Sequence, residues 1–401
     1  MNHDARPQDG AQSPGDAQPQ DDAQPQGDVQ PRDGARHKDG AKRKDGAKHK
    51  DGTKHKDGIK PKGGAKPAFV PVPDEVQATW PAPVDVDVTD RYRVSHMRRA
   101  SEVVVVTFDH WDEGKSTFTP GTRGDRFYAS RGWSQVHVAT TRNDWYLGGA
   151  TPQLFDTVRA MVRDGGYRKV VTSGFSMGGY AALLFAGPLG ARRAVAVSPQ
   201  FALDPAQVPW ETRWQADRQG LDWTADALAH GGAQDCDARI VYDPCHPADA
   251  RHVALMRRHF PRWTYVALPH AEHPALRPFA ETGRVGKVIA GLIDGSFGLQ
   301  KVTRMYRRER RESPTYWATL ALQGARRPRL VAGALDAFLA LPTRPPALLA
   351  KVALAACRSG DLARGVPLLA EGLAGLGAAA PAWMQAELDA ARQALIDTPA
   401  G

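Results

Sequence analysis

The 401-residue chain has no run of about 18 apolar residues, the length a helix needs to cross a bilayer, so no membrane span is expected. Its first 66 residues contain no apolar stretch of the kind that a secretory signal carries. Cysteine is scarce. Cys236, Cys245 and Cys357 form an odd set without framework spacing, which argues against a disulfide scaffold and for a reducing interior. Cys236 and Cys245 beside His246 match no zinc spacing, so no metal is expected. A P-loop and a dinucleotide fingerprint are also missing, and the glycines of GTRGDRFYASRG (Gly121 to Gly132) read as loop. These absences point to a cytoplasmic protein that works without a cofactor and relies on its own side chains.

Charge is present in excess of one sign, with 53 Lys and Arg against 44 Asp and Glu. Part of that excess lies in residues 1–66, which are of low complexity. A Gln/Pro/Asp-rich section precedes hexapeptides that begin at Asp33, Asp39, Asp45, Asp51 and Asp57, such as DGAKHK. So few apolar side chains cannot offset the entropy of ordering, and a disordered tail is expected. Such a tail either contacts a nucleic acid or another anionic surface weakly, or is a solvated repeat without a dedicated partner. The Asp in each repeat dilutes the charge and favours the second reading.

From Asp85 onward the pattern changes to that of a folded domain, taken as 67–300. DVDVTDRYRVSHM alternates like a strand, and EVVVVTFD (Glu102 to Asp109) reads as a strand buried on both faces. Further strands are expected at Ser134 to Thr141, Ala238 to Pro244 and Thr264 to Pro269, with helices between them, including Pro152 to Gly166 and Ala248 to Phe260. Strands alternating with helices predict an α/β fold, a mainly parallel sheet covered on both faces. The stretch 201–237 carries Trp210, Trp214 and Trp223 but no strand pattern, and reads as a cap-like insertion bordering the substrate. Residues 301–401 are rich in alanine and leucine at helical spacing. Within them Ala347 to Gly377 resembles a tetratricopeptide helix pair, which suggests either a surface for a protein partner or a helical extension of the core.

The segment VVTSGFSMGGYAALLFA, from Val170 to Ala186, combines a β-branched run, a serine between glycines and an alanine-rich helix. A serine on so sharp a turn needs small neighbours two residues away on either side, and Gly174 and Gly178 supply them. With these residues in this context, Asp85 to Gln300 resembles the α/β-hydrolase superfamily. The resemblance implies an elbow nucleophile, Ser176, followed in chain order by an acid and a histidine. His273, in LPHAEHPAL after the last expected strand, is the preferred base, with His270 as the alternative. Asp243, at the end of ARIVYD, is the preferred acid. Asp249 is the alternative, although it also reads as a helix N-cap.

The same resemblance implies an oxyanion hole built from the N–H of Met177 and a second amide at Asp109, His110 or Trp111. No HGGG motif occurs there, which disfavours lipases. Trp111 is expected to contact substrate, while Trp145 and Tyr146, which follow another strand, fit either pocket lining or core packing. The implied activity is a serine esterase or thioesterase acting on a small-molecule or glycan-linked ester or thioester. Two alternatives stay open: an acyltransferase using the same triad on a sugar or other hydroxyl, and a non-catalytic interaction protein on the same scaffold.

Overall fold

The structure, a computed structural model, describes residues 82–118, 124–223, 226 and 235–397. The basic repeats, the surface contact expected of them and part of the cap-like stretch lie outside the described residues. Among the described residues no helix is long and apolar enough to cross a membrane.

The strands are β1 (Val84–Asp87), β2 (Tyr92–Met97), β3 (Val103–Phe108), β4 (Ser134–Thr140), β5 (Lys169–Phe175), β6 (Arg193–Val197), β7 (Asp237–Tyr242) and β8 (Thr264–Ala267). They form one sheet in the order β1-β2-β4-β3-β5-β6-β7-β8. β2 runs antiparallel to β1 and β4, and every pairing from β4 to β8 is parallel. The alternating stretch read as one strand after Asp85 is thus a hairpin. Its turn is closed by the N–H of Val88 on the carbonyl of Tyr92 at 2.9 Å.

Helices lie between and after the strands: α1 (Asp125–Ala129), α2 (Thr151–Asp164), α3 (Met177–Leu184), α4 (Gln215–Arg218), α5 (Pro247–His259), α6 (Arg277–Glu281) and α7 (Val285–Asp294). The short helix α1 stands where a loop was expected. The valine runs serve both faces of the sheet, as period-two strands must when helices cover each side. In β3, Val104, Val106 and Phe108 enter the core beneath α2 and α3, while Val105 enters the opposite core with Val171, Val195 and the α7 residues Val288 and Leu292.

Beyond this layer come α8 (Leu299–Glu309), α9 (Pro314–Gln323), α10 (Pro328–Leu339), α11 (Pro346–Arg358), α12 (Leu362–Leu376) and α13 (Ala382–Asp397). Met305 and Tyr306 of α8 and Tyr316 of α9 belong to the same core as Phe279 and Val288, so these helices share apolar burial with the sheet domain. The pair α11–α12 packs through small residues. A Cβ on Gly372 would lie 2.6 Å from the backbone nitrogen of Ala350, which is closer than any side chain tolerates.

Candidate active site

The segments that leave β3, β5, β7 and β8 at their carboxyl ends carry the polar residues of the site, at the edge where parallel α/β sheets bind ligands. At the end of β5 the chain turns into α3 through Ser176, whose φ of 50° and ψ of −120° lie in a sparsely populated region. Holding a non-glycine residue there costs on the order of 1–3 kcal/mol. The turn closes because its neighbours are bare. A Cβ on Gly174 would meet the carbonyl oxygen of Gly178 at 2.0 Å, and one on Gly178 would meet that of Phe108 at 2.7 Å.

Ser176 and the loop after β8 meet directly. His273 Nε2 lies 2.8 Å from Ser176 Oγ, and His273 Nδ1 lies 2.9 Å from Asp249 Oδ2. With Nδ1–H donating to the carboxylate, Nε2 is left to accept the serine proton. The serine turn after β5, the histidine after β8 and the strand order combine into one architecture. This is the α/β-hydrolase fold.

Three solved structures are similar to part of the chain at low identity. A capsule O-acetyltransferase of Neisseria meningitidis serogroup A is 10% identical, with 52% of this chain and 94% of that chain covered at a TM-score of 0.39. An esterase of Pyrococcus furiosus is 12% identical, with 57% and 98% covered at 0.37. A fluorophosphonate-binding serine hydrolase of Staphylococcus aureus is 13% identical, with 53% and 97% covered at 0.37. No protein-family model matches the chain, and no curated protein matches its sequence.

Within this fold the carboxylate beside His273 is Asp249 and not Asp243, the one preferred from the sequence. Asp243 does not touch His273. It is fully buried at the end of β7, and its two oxygens accept the backbone N–H groups of Cys245 (2.8 Å), His270 (2.9 Å) and Glu272 (2.9 Å). Burial pushes its carboxyl pKa up, and those amide donors oppose the rise only in part. Asp249 is not an N-cap either. The cap of α5 is His246, whose Nδ1 accepts the Asp249 N–H at 3.3 Å, and this frees the Asp249 carboxylate to face His273. Burial opposes its ionisation, but the imidazoles of His246 and His273 outweigh that and hold it well below the ordinary carboxylate range. The alternative base His270 points elsewhere, with Nδ1 2.5 Å from Gln323 Oε1.

Behind Asp249 stands a charged pair that the sequence did not signal. Arg213, from the cap-like stretch, donates to Asp249 Oδ1 at 3.0 Å and to Glu211 Oε2 at 2.7 Å. Glu211 is buried and also meets His252 Nε2 at 2.9 Å. Burial raises the Glu211 pKa, yet His252 and Arg213 more than reverse this and hold it at about 2. The Arg213 guanidinium lies over the Trp214 ring, 4.4 Å from its centroid, and that ring is 6.0 Å from the His273 ring.

Ser176 opens into a cavity of about 810 Å³. Phe127, Val285 and Ile289 supply apolar wall, and His110, Trp111 and Trp214 also line it. Met177 is the first residue of α3, so its N–H has no intrahelical acceptor and remains suited to an oxyanion. Asp109 is not suited, because its own N–H is spent on the Val138 carbonyl at 3.1 Å. Its buried carboxylate instead binds Lys115 Nζ at 2.9 Å, leaving His110 and Trp111 as the remaining positions for a second amide. Trp111 also ties this loop to α4 through Nε1–H on Asp217 at 2.8 Å.

Trp145 and Tyr146 do not line the cavity. Both are fully buried in the core beneath α2 and α3, where Trp145 Nε1–H donates to Gln200 at 2.9 Å and the Tyr146 hydroxyl donates to the Asp109 carbonyl at 3.1 Å. Large aromatics that can bury their polar tip in a hydrogen bond are equally at home in a core, and here the core claims them. Among the described residues no cluster of His, Cys, Asp or Glu is arranged to hold a metal ion.

Proposed function

We propose that the protein is a serine hydrolase of the esterase or thioesterase type that works through an acyl-enzyme on Ser176. The observation that carries this reading is the continuous hydrogen-bonded chain from Ser176 Oγ through His273 to Asp249, at 2.8 and 2.9 Å, opening on an apolar cavity. A serine hydroxyl is a weak nucleophile until a base takes its proton and a third group fixes that base.

His273 Nε2 takes the Ser176 proton as Oγ attacks the carbonyl carbon, and the imidazolium is stabilised by Asp249. Negative charge develops on the carbonyl oxygen beside the Met177 N–H and a second amide from His110 or Trp111, where fixed dipoles need no reorganisation. Collapse of the tetrahedral adduct expels an alkoxide or thiolate, which receives the proton from His273. Water, deprotonated by the same imidazole, then attacks the acyl-enzyme, and collapse of that adduct releases the acid as His273 returns the proton to Ser176 Oγ. The apolar cavity suits an acyl chain, since such surface gains about 25 cal/mol per Å² when removed from water.

A fluorophosphonate probe tests the reading, because it labels only an activated serine. Labelling of the wild type that is lost in Ser176→Ala and in His273→Ala is the expected result. Equal labelling of Ser176→Ala, or none of the wild type, contradicts it.

A further inference from the structure

The loop that carries His273 is held from two sides. Its backbone enters the left-handed region twice, at His270 (φ 65°) and Glu272 (φ 62°), where non-glycine residues are rare. On the inner side, Asp243 accepts the N–H of both residues. Those two bonds fix the direction of the amides. They leave the two side chains, and the carbonyl of Pro269, turned toward the helices that follow residue 299.

Each of these groups is met by a residue of that helical region. Tyr306 of α8 donates its hydroxyl to the Pro269 carbonyl at 2.6 Å. Gln323 of α9 accepts from His270 through Oε1 at 2.5 Å. Glu272 Oε1, adjacent in sequence to His273, receives Thr319 Oγ1 of α9 at 3.0 Å and Lys351 Nζ of α11 at 2.7 Å. Burial works against ionisation of Glu272, but Lys351 and then Thr319 outweigh it and keep the carboxylate charged. Side-chain exposure is 31% for Lys351 and 20% for Glu272, so the pair is partly shielded from solvent and ions.

We propose that the C-terminal helices form part of the catalytic apparatus, with Lys351 and Thr319 acting as positioning residues that hold the His273 loop through Glu272. The proposal rests on the acyl-enzyme reading above. A strained loop persists only where its surroundings over-determine it, and in this loop the outer half of those constraints comes from α8, α9 and α11. Without the Lys351 ammonium, the Glu272 carboxylate keeps one hydroxyl donor in a partly buried place. The backbone then relaxes toward ordinary φ values, carrying the imidazole next to it off the Ser176 line. Transition-state geometry is sensitive to such shifts, and a displacement near 1 Å costs about 100-fold in rate.

The experiment compares full-length wild type, Lys351→Met, Lys351→Arg and Thr319→Val. Three readouts are used: the rate constant of fluorophosphonate labelling, kcat and KM on a p-nitrophenyl ester, and the thermal midpoint. The expected result for Lys351→Met is a labelling rate and kcat lower by about 10- to 100-fold with KM within about twofold. Lys351→Arg, which keeps the cation, is expected to recover most of the rate, and Thr319→Val to show a smaller loss of the same kind. A wild type that labels, with Lys351→Met labelling equally fast, overturns the positioning role and leaves the serine chemistry standing. So does equal loss in Lys351→Met and Lys351→Arg at unchanged midpoint, since charge then plays no part. If Lys351→Met does not fold, Thr319→Val labelling at the wild-type rate overturns the proposal by itself. A wild type that does not label removes the underlying reading, and the proposal with it.

Discussion

Asp249 reaches His273 from the first turn of α5, its Oδ2 lying 2.9 Å from Nδ1, while Asp243 at the end of the preceding strand faces the loop backbone instead. Two aspartates near one histidine therefore have separable tasks. In the proposed mechanism one orients the imidazole, and the other holds the segment on which that imidazole sits.

The separation is measurable. Asp249→Asn keeps the shape but can leave His273 in the wrong tautomer, and kcat should fall by about ten-thousand-fold, far more than the accompanying loss of stability explains. Asp243→Asn removes an acceptor oxygen from among three backbone donors, and should cost about 1–3 kcal/mol of stability in urea titrations. Its loss of activity should track unfolding. The reverse pattern would return the acid role to Asp243.

Acid should unfold the protein through the charged pair behind Asp249. Glu211 has its pKa held at about 2, against an ordinary value of 4.5, and Asp249 is depressed in the same direction. A depressed carboxyl contributes stability that is complete above its unfolded value and is lost as pH falls toward the folded one. Glu211 alone accounts for about 3 kcal/mol of stability. That contribution should disappear between pH 4.5 and about 2. Arg213→Met, which strips both carboxylates of their shared partner, should lower stability at neutral pH by about 3–5 kcal/mol and flatten this acid dependence. Denaturant midpoints measured across that pH range test both statements.

The cavity wall should set the acyl preference. A Cβ at Gly286 would come within 3.2 Å of Phe127, across the lining of the cavity. Gly286→Leu should fill that space and reduce kcat/KM for octanoyl relative to acetyl esters by about 10-fold or more. Equal losses for both esters would place the acyl chain elsewhere.

Trp145 and Trp214 should respond differently to truncation. Trp145 is buried in the core, and Trp145→Ala should cost about 3–5 kcal/mol of stability. Trp214 lines the cavity beside His273, and Trp214→Phe should change KM or ester preference with a nearly unchanged midpoint. Thermal melts and kinetics on both variants check the contrast.

Much of this architecture was legible in the residues. The valine runs with helices between them announce a parallel sheet, and Gly174, Ser176 and Gly178 announce a tight turn, because the backbone there admits nothing larger. The acid was harder to read. A strand end and the first helical turn beyond it are both plausible sites, and only the fold of the loop at His270 and Glu272 decides which carboxylate the imidazole meets. Trp145 and Tyr146 were ambiguous because aromatic residues after a strand serve a core as well as a pocket. The contacts of Arg213, Thr319 and Lys351 leave no trace in the sequence. Each is a polar residue of ordinary type, and the partners Asp249 of Arg213 and Glu272 of Thr319 and Lys351 are distant along the chain.

The most direct test is to quench the wild-type protein during turnover of an activated ester and examine it by mass spectrometry. The account predicts a covalent gain equal to the acyl group, located on the peptide that contains Ser176 and absent from Ser176→Ala. Turnover without that adduct, or an adduct that persists in Ser176→Ala, would contradict it.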